Sequence, residues 1–382
     1  MMDYFKSFDE SQEKVIDSLK MLLYTRHNDI FERLDFENDS VYLEPLLYSY
    51  VMQEDDTWLD SIIYGYEGSP KSIISIFTNN KGIAYIPQVG YFHTSKIREQ
   101  LYLQKLSNET YQIKDLKGDT VPHKLESIIF LNEGIELIKT QHPLFEHLFT
   151  TEENVIPNVE IDNCYIKHID HFNNALQVIK DNYSEYFNLI KKSVKKVMIF
   201  DGEQYSFAAI QAHNMIFLNT KDENDEIFFL DHILHEGAHV IFNTLTYESK
   251  IELFTVPFKT DFAVVTRDQN EHGELYGRFH GMFTQSNINP CLEICIEKNI
   301  FTGKQHKELL GRFTSNMTRF KAGINKFNIP SLYNDEGKKW YEFFNKRYNE
   351  LYDRKHELIN SFDVSNQPYA FSYEIFANTN FK

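Results

Sequence analysis

The 382-residue chain has only three cysteines, Cys164, Cys291 and Cys295, and no two of them form a C-x-x-C pair. So sparse and odd a set excludes a disulfide framework and a cysteine zinc site, and it matches a reducing cytoplasm. Positive charge is also short, with 39 Lys+Arg against 56 Asp+Glu and a formal charge of −17. That excess repels phosphate backbones and anionic lipid, so nucleic acid and membranes are excluded as expected partners. No eighteen consecutive apolar residues occur, and the opening "MMDYFKSFDESQEK" lacks the basic start and apolar run of a signal peptide. The expectation is a soluble, cytoplasmic protein. Internal repeats and low-complexity segments are missing too. Core material is plentiful: 42% of residues are hydrophobic, enough for one large domain or two ordinary ones.

Apolar spacing predicts helices over 10–34 and 41–64, a hairpin at 69–87 around Asn79-Asn80-Lys81-Gly82, and a helix at 124–140. The first 150 residues therefore read as a mostly helical segment of unassigned role, with residues 151–382 as the chemical domain. Within the latter, "NVEIDNCYIKHI" reads as a strand, 170–194 as a helix and "KKVMIF" as another strand. The stretch 205–220 reads as two strand halves turning at His213-Asn214. Beyond residue 300, two long amphipathic helices look like scaffold. The fold class is α+β and predominantly helical, with a motif helix next to a small sheet.

That motif lies in "LDHILHEGAHVIFNTL", residues 230–245. His235, Glu236, Gly237, Ala238 and His239 spell H-E-x-x-H, and Ile227, Leu230, Leu234, Ala238, Ile241 and Leu245 run through it as an apolar stripe at helical spacing. Histidines four apart on a helix share a face, so their imidazoles can converge on one cation, with Glu236 turned aside. Glycine at 237 sacrifices about 0.8–1 kcal/mol of helix propensity, which suits a close approach to the backbone. His232, one turn earlier, reads as a satisfied surface histidine rather than an outer-shell group.

Two ligands hold a metal incompletely. Candidates for a third lie in "RDQNEHGELYGRFHGMFTQSNINPCLEICIEK", residues 267–298, helical from about Glu274. Glu274 or His272 would complete a zinc peptidase site, and His280 an all-histidine one. Gly273, Gly277 and Gly281 recur every four residues and would let a neighbouring helix approach, with His280 beside the cleared strip. Glu274 and Arg278 are expected to pair with each other.

Taken in order, "AAIQAHNMIFLNT", "LHEGAHVIFNTL", "LYGRFHGMF" and "SLYNDEGKKWYEFF" resemble the HExxH-type peptide-modifying proteins of ribosomal peptide gene clusters, the α-ketoglutarate-dependent peptide β-hydroxylases. The similarity covers roughly residues 160–350. It implies metal ligation by His235, His239 and His280, a site role for Asn243, and Fe(II) and α-ketoglutarate as cofactors. The partner it implies is a ribosomally made precursor peptide. Family members often carry an "RDDPRP"-like run before the third segment; here "TRDQNEHGEL" keeps only Arg267 and Asp268. Arg267 is the expected holder of the distal carboxylate of α-ketoglutarate, ahead of Arg278. Three histidines would leave coordination positions open for a keto acid and dioxygen. The first expectation is therefore peptide β-hydroxylation. The alternatives are a zinc metallopeptidase with Glu236 as general base, and a metal-free protein whose acidic surface binds a basic leader peptide.

Overall fold

The computed structural model describes residues 4–53, 55–68, 73–107, 110–149 and 159–381. It is α+β and mainly helical, as expected. The helices in chain order are α1 (Tyr4–Arg26), α2 (Ile30–Arg33), α3 (Asp39–Tyr42), α4 (Pro45–Val51), α5 (Leu59–Ile63), α6 (Asp162–Asn182), α7 (Ser184–Ser193), α8 (Glu226–Leu245), α9 (Phe262–Thr266), α10 (Leu275–Glu297), α11 (Gly303–Lys326), α12 (Asp335–Asn360) and α13 (Tyr373–Asn380). Among the described residues, no helix is long and apolar enough to cross a membrane.

Two compact units share the chain. One comprises residues 1–12, 170–193 and 223–382, and the other 13–169 and 194–222. The chain therefore leaves and re-enters each unit.

Among the described residues, the unit built from 13–169 and 194–222 carries every strand of the sheets. Strands β1 (Ile73–Phe77), β2 (Ile83–Ile86), β3 (Gly90–Thr94), β4 (Gln100–Ser107), β5 (Thr110–Lys114), β6 (Thr120–Val121), β7 (His123–Glu126), β8 (Ile129–Phe130), β9 (Glu136–Leu137), β10 (Lys196–Phe200) and β11 (Met215–Asn219) form three small sheets, ordered β1-β4-β5-β6, β2-β3-β7 and β11-β10-β9-β8. The first 150 residues are thus helical up to about residue 66 and again in a 3-10 helix at Pro143–Phe149, with strands between. The expected hairpin at 69–87 is corrected: its first four residues lie outside the described residues, and β1 and β2 pair with β4 and β3 rather than with each other. Asn79 causes the divergence, because its side chain accepts from the N–H groups of Lys81 and Ile83 and closes a tight turn. The expected helix at 124–140 is instead β7, β8 and β9. Asn132-Glu133-Gly134 breaks the run with positive φ at Glu133 and Gly134, a turn that overrides helical spacing.

The expected strand at 158–169 reduces to one bridge, Glu160 with Asp201, before α6 begins at Asp162. Beta10 appears where "KKVMIF" predicted it and runs parallel to β11. The two halves of 205–220 meet through an isolated antiparallel bridge between Phe207 and Phe217, with Asn214 in the left-handed conformation (φ 70°). The main core of this unit packs Leu46, Leu47 and Tyr50 of α4 and Ile62 of α5 against Met198, Phe200, Met215 and Phe217 of the sheet. Lys196 is buried there between Glu44 (2.9 Å) and Glu136 (2.8 Å), and also donates to the Tyr85 hydroxyl at 2.5 Å.

The other unit is helical. Alpha10 packs against α8, α11 and α12 around an aromatic core of Phe242, Phe279, Phe283, Trp340 and Phe344. Pro290 sits inside α10, where its missing N–H takes away the usual helical donor to the Ser286 carbonyl. Arg347 of α12 supplies a substitute, donating from Nε at 3.4 Å. Gly337 of α12 is equally determined by packing: a Cβ there would run into the Leu253 carbonyl.

Candidate metal centre

The motif helix α8 is capped by Asp225, whose side chain accepts from the Ile227 N–H. The apolar stripe behaves as its spacing predicts, with Ile227, Leu230, Leu234, Ala238 and Ile241 fully buried. It is anchored by charge as well. Asp231, buried one turn before His235, accepts from Arg312 Nη1 (2.8 Å) and Asn316 Nδ2 (3.0 Å) of α11, and Arg312 is also held by Glu308 at 2.8 Å. Alpha11, expected as scaffold, is thereby fixed beside the motif.

His235 and His239 lie side by side, ring centroids 5.1 Å apart, half-buried on the wall of a cavity of about 690 Å³. His280 of α10 is buried behind them, its ring edge-on to His239 at 4.3 Å and tilted against Phe242 at 4.9 Å. Burial holds all three imidazoles below their usual pKa. His280 falls to about 3; His239 falls well below the usual range, helped by His280 and His235. For His235, burial and the Arg319 charge outweigh the opposing pull of Asp231. Each is therefore neutral, the protonation state in which imidazole binds a metal. Two imidazoles on one metal, with metal–nitrogen bonds of about 2.1 Å, place their centroids about 4.5–5.2 Å apart. The His235–His239 spacing falls within that range, and the His239–His280 spacing lies just short of it.

In donor chemistry and in the spacing of the helix pair, the residues fit a divalent metal. The third position is not assembled: His280 Nε2 is turned to the Ala238 carbonyl at 3.4 Å, and among the described residues no three His, Cys, Asp or Glu side chains are grouped to hold an ion. Glu236 is buried, and burial together with Asp231 raises its carboxyl to about 8; it does not line the cavity that its two histidine neighbours share.

Other expected residues are placed as follows. His272 and Glu274 are exposed on the cavity lining. Glu274 does not pair with Arg278; that guanidinium donates instead to the His272 carbonyl from Nε at 2.9 Å. Asn243 lies off the cavity, its Oδ1 accepting from the Tyr276 hydroxyl at 3.1 Å, while that hydroxyl shares a 2.7 Å hydrogen bond with Thr246. Arg267 is exposed in a left-handed cap after α9 (φ 58°) and does not line the cavity. His232 is the satisfied histidine expected, with Nδ1 2.9 Å from the Phe228 carbonyl and its ring stacked on Phe228 at 3.8 Å.

The glycine strip is corrected. Gly277 and Gly281 face the cavity, and a Cβ on either would meet nothing within 4 Å. They widen the cavity rather than admitting a neighbouring helix. His280 meets α8 from another side of α10.

Sequence reasoning missed much of the cavity lining. Arg319, Gly323 and Lys326 of α11, Gln285 of α10 and the segment Gln367-Pro368-Tyr369 all line the cavity. Arg319 alone left a trace, as a cation on a helix assigned only to scaffolding. No family model matches the chain, and no curated protein is significantly similar to it.

Proposed function

We propose that the chain is an Fe(II)- and α-ketoglutarate-dependent hydroxylase acting on a side-chain β-carbon of a ribosomally made peptide. The observation that carries this reading is that two imidazoles, His235 and His239, share a cavity wall from which the motif glutamate is absent. A peptidase needs that glutamate beside the metal-activated water as general base, whereas a hydroxylase needs only ligands and open space. When bound, iron would supply the activation of dioxygen against a C–H bond.

His235 and His239 would hold the metal, with His280 as third donor after rotation away from the Ala238 carbonyl. Asp231, fixed by Arg312 and Asn316, would keep the His235 turn of α8 in place. Gly277 and Gly281 would leave room for an extended peptide, and Gln285, whose Oε1 lacks a hydrogen-bond partner, would accept one of its N–H groups. The reaction balances as peptide C–H, dioxygen and α-ketoglutarate giving peptide C–OH, succinate and carbon dioxide.

A zinc peptidase is the second reading, favoured by His272 and Glu274 on the same cavity lining. Anaerobically iron-loaded protein, given α-ketoglutarate, oxygen and a candidate precursor peptide, separates the two by mass spectrometry. The hydroxylase adds one oxygen atom and releases succinate, and Glu236→Gln retains that reaction. Zinc-dependent peptide fragments, lost in Glu236→Gln, would establish the peptidase instead.

A further inference from the structure

Among the described residues, several buried or half-buried cations are matched with carboxylates. Arg33 bonds Asp60 and Glu67, Arg312 bonds Asp231 and Glu308, and Lys139 bonds Glu126. Arg319 is different. It is half-buried on the cavity wall, and its partners are two main-chain carbonyls, Pro368 O at 2.9 Å and Tyr369 O at 2.7 Å, with the Tyr369 ring beneath at 5.7 Å. Both bonds come from Nη2. A guanidinium has five N–H donors, so the Nε donor and the two on Nη1 remain for single charge-assisted bonds to a carboxylate.

The carbonyls and ring orient the fork without neutralising its charge. Gln285, 7% exposed on the same cavity with its Oε1 buried and without a partner, calls for a donor and so serves the peptide rather than the acid. Arg267, exposed and off the cavity, has neither the position nor the enclosure.

We propose that Arg319 receives a carboxylate of the small acid bound beside His235 and His239. That the acid is α-ketoglutarate rests on the hydroxylase reading, and Arg319 then takes the carboxylate distal to the keto group. Arg278 lines the same cavity but is exposed, and its fork is turned back on the His272 carbonyl of its own segment.

Calorimetric titration of α-ketoglutarate into anaerobic Fe(II)-loaded protein tests this, with bound iron measured in parallel. Arg319→Ala is expected to weaken binding about 10- to 100-fold with iron content unchanged, the loss of a charge-assisted pair. Arg319→Lys is expected to recover part of it, since an ammonium keeps the charge but not the fork. 2-Oxobutyrate, which lacks the distal carboxylate, should bind wild type and Arg319→Ala alike. If Arg319→Ala melts early through loss of the Pro368 and Tyr369 contacts, Arg319→Lys against wild type decides. Tight α-ketoglutarate binding that both substitutions leave intact, or that Arg267→Ala abolishes instead, overturns the assignment while the hydroxylase reading stands. Iron-loaded wild type that binds no α-ketoglutarate defeats the hydroxylase reading and this inference with it.

Discussion

Lys196 and Arg319 are both cations withdrawn from water, one in each compact unit, and they have been treated oppositely. Lys196 is enclosed by Glu44, Glu136 and Tyr85, with Tyr66 donating in turn to Glu44 at 2.7 Å. Burial alone would drive its proton off, but Glu136 and Glu44 more than offset that and raise its pKa. Every donor and acceptor there is committed, which makes the cluster part of the fold. Arg319 is held only by carbonyls, next to histidines kept neutral and an amide oxygen without a partner. A buried polar group that has been satisfied is structure; one that is oriented but left uncompensated is a place for something else to bind.

The largest expected effect tests the satisfied side. Lys196→Met leaves two carboxylates facing each other without their cation and should cost about 3–5 kcal/mol in urea unfolding. Metal binding should remain at the wild-type level. A loss of metal equal to the loss of stability would erase the distinction between the two regions.

The reverse substitution follows in size. His239→Ala should weaken metal binding by about 100-fold or more, because losing a ligand costs more than losing an outer partner. Far-ultraviolet circular dichroism should not change, since the apolar stripe of α8 is untouched. Unaltered metal content would remove His239 from the site.

A pH titration then sharpens the comparison. His142, in the sheet-bearing unit, is held down to about 3 by burial and the neighbouring Lys196 charge, and its Nδ1 accepts from the Leu144 N–H at 3.2 Å. A folded pKa depressed below the ordinary 6.5 contributes stability that is present above about pH 6.5 and lost as pH falls through about 3. At pH 5 the wild type should have lost about 2 kcal/mol through this group, a loss absent from His142→Gln. Equal pH slopes in the two proteins would show that His142 is not held neutral.

The smallest effect concerns glycine. Gly281→Ala should stabilise by about 0.4–1 kcal/mol, because the added methyl enters open cavity and the unfolded chain loses freedom. Gly337→Ala should destabilise, since its methyl meets the Leu253 carbonyl. Thermal melts that move in the same direction for both would contradict the packing described here.

Much of the helical unit was legible because its signals are local and repeated. The stripe through His235 and His239, the start of α10 near Glu274 and the two long helices after residue 300 all follow from period and length. The sheet-bearing unit was harder. Its strands are two to eight residues long, and its turns at Asn79 and at Glu133-Gly134 are set by single side chains or positive φ angles, which a helical window averages away. The cavity was half legible: the histidine wall has a motif, and the Arg319 wall has none.

The sequence by itself determined that two histidines and a glutamate share a helix, that the helix must bury one face, and that the surface is acidic. Those are consequences of composition and of 3.6 residues per turn. Only the tertiary structure decided that Glu236 lies off the cavity, that Gly277 and Gly281 face open space, and that Arg319 rather than Arg267 lines the cavity. Each of these depends on how α8, α10 and α11 pack. The period of a helix tells which residues share a face, but only the packing of its neighbours decides whether that face meets side chains or a cavity.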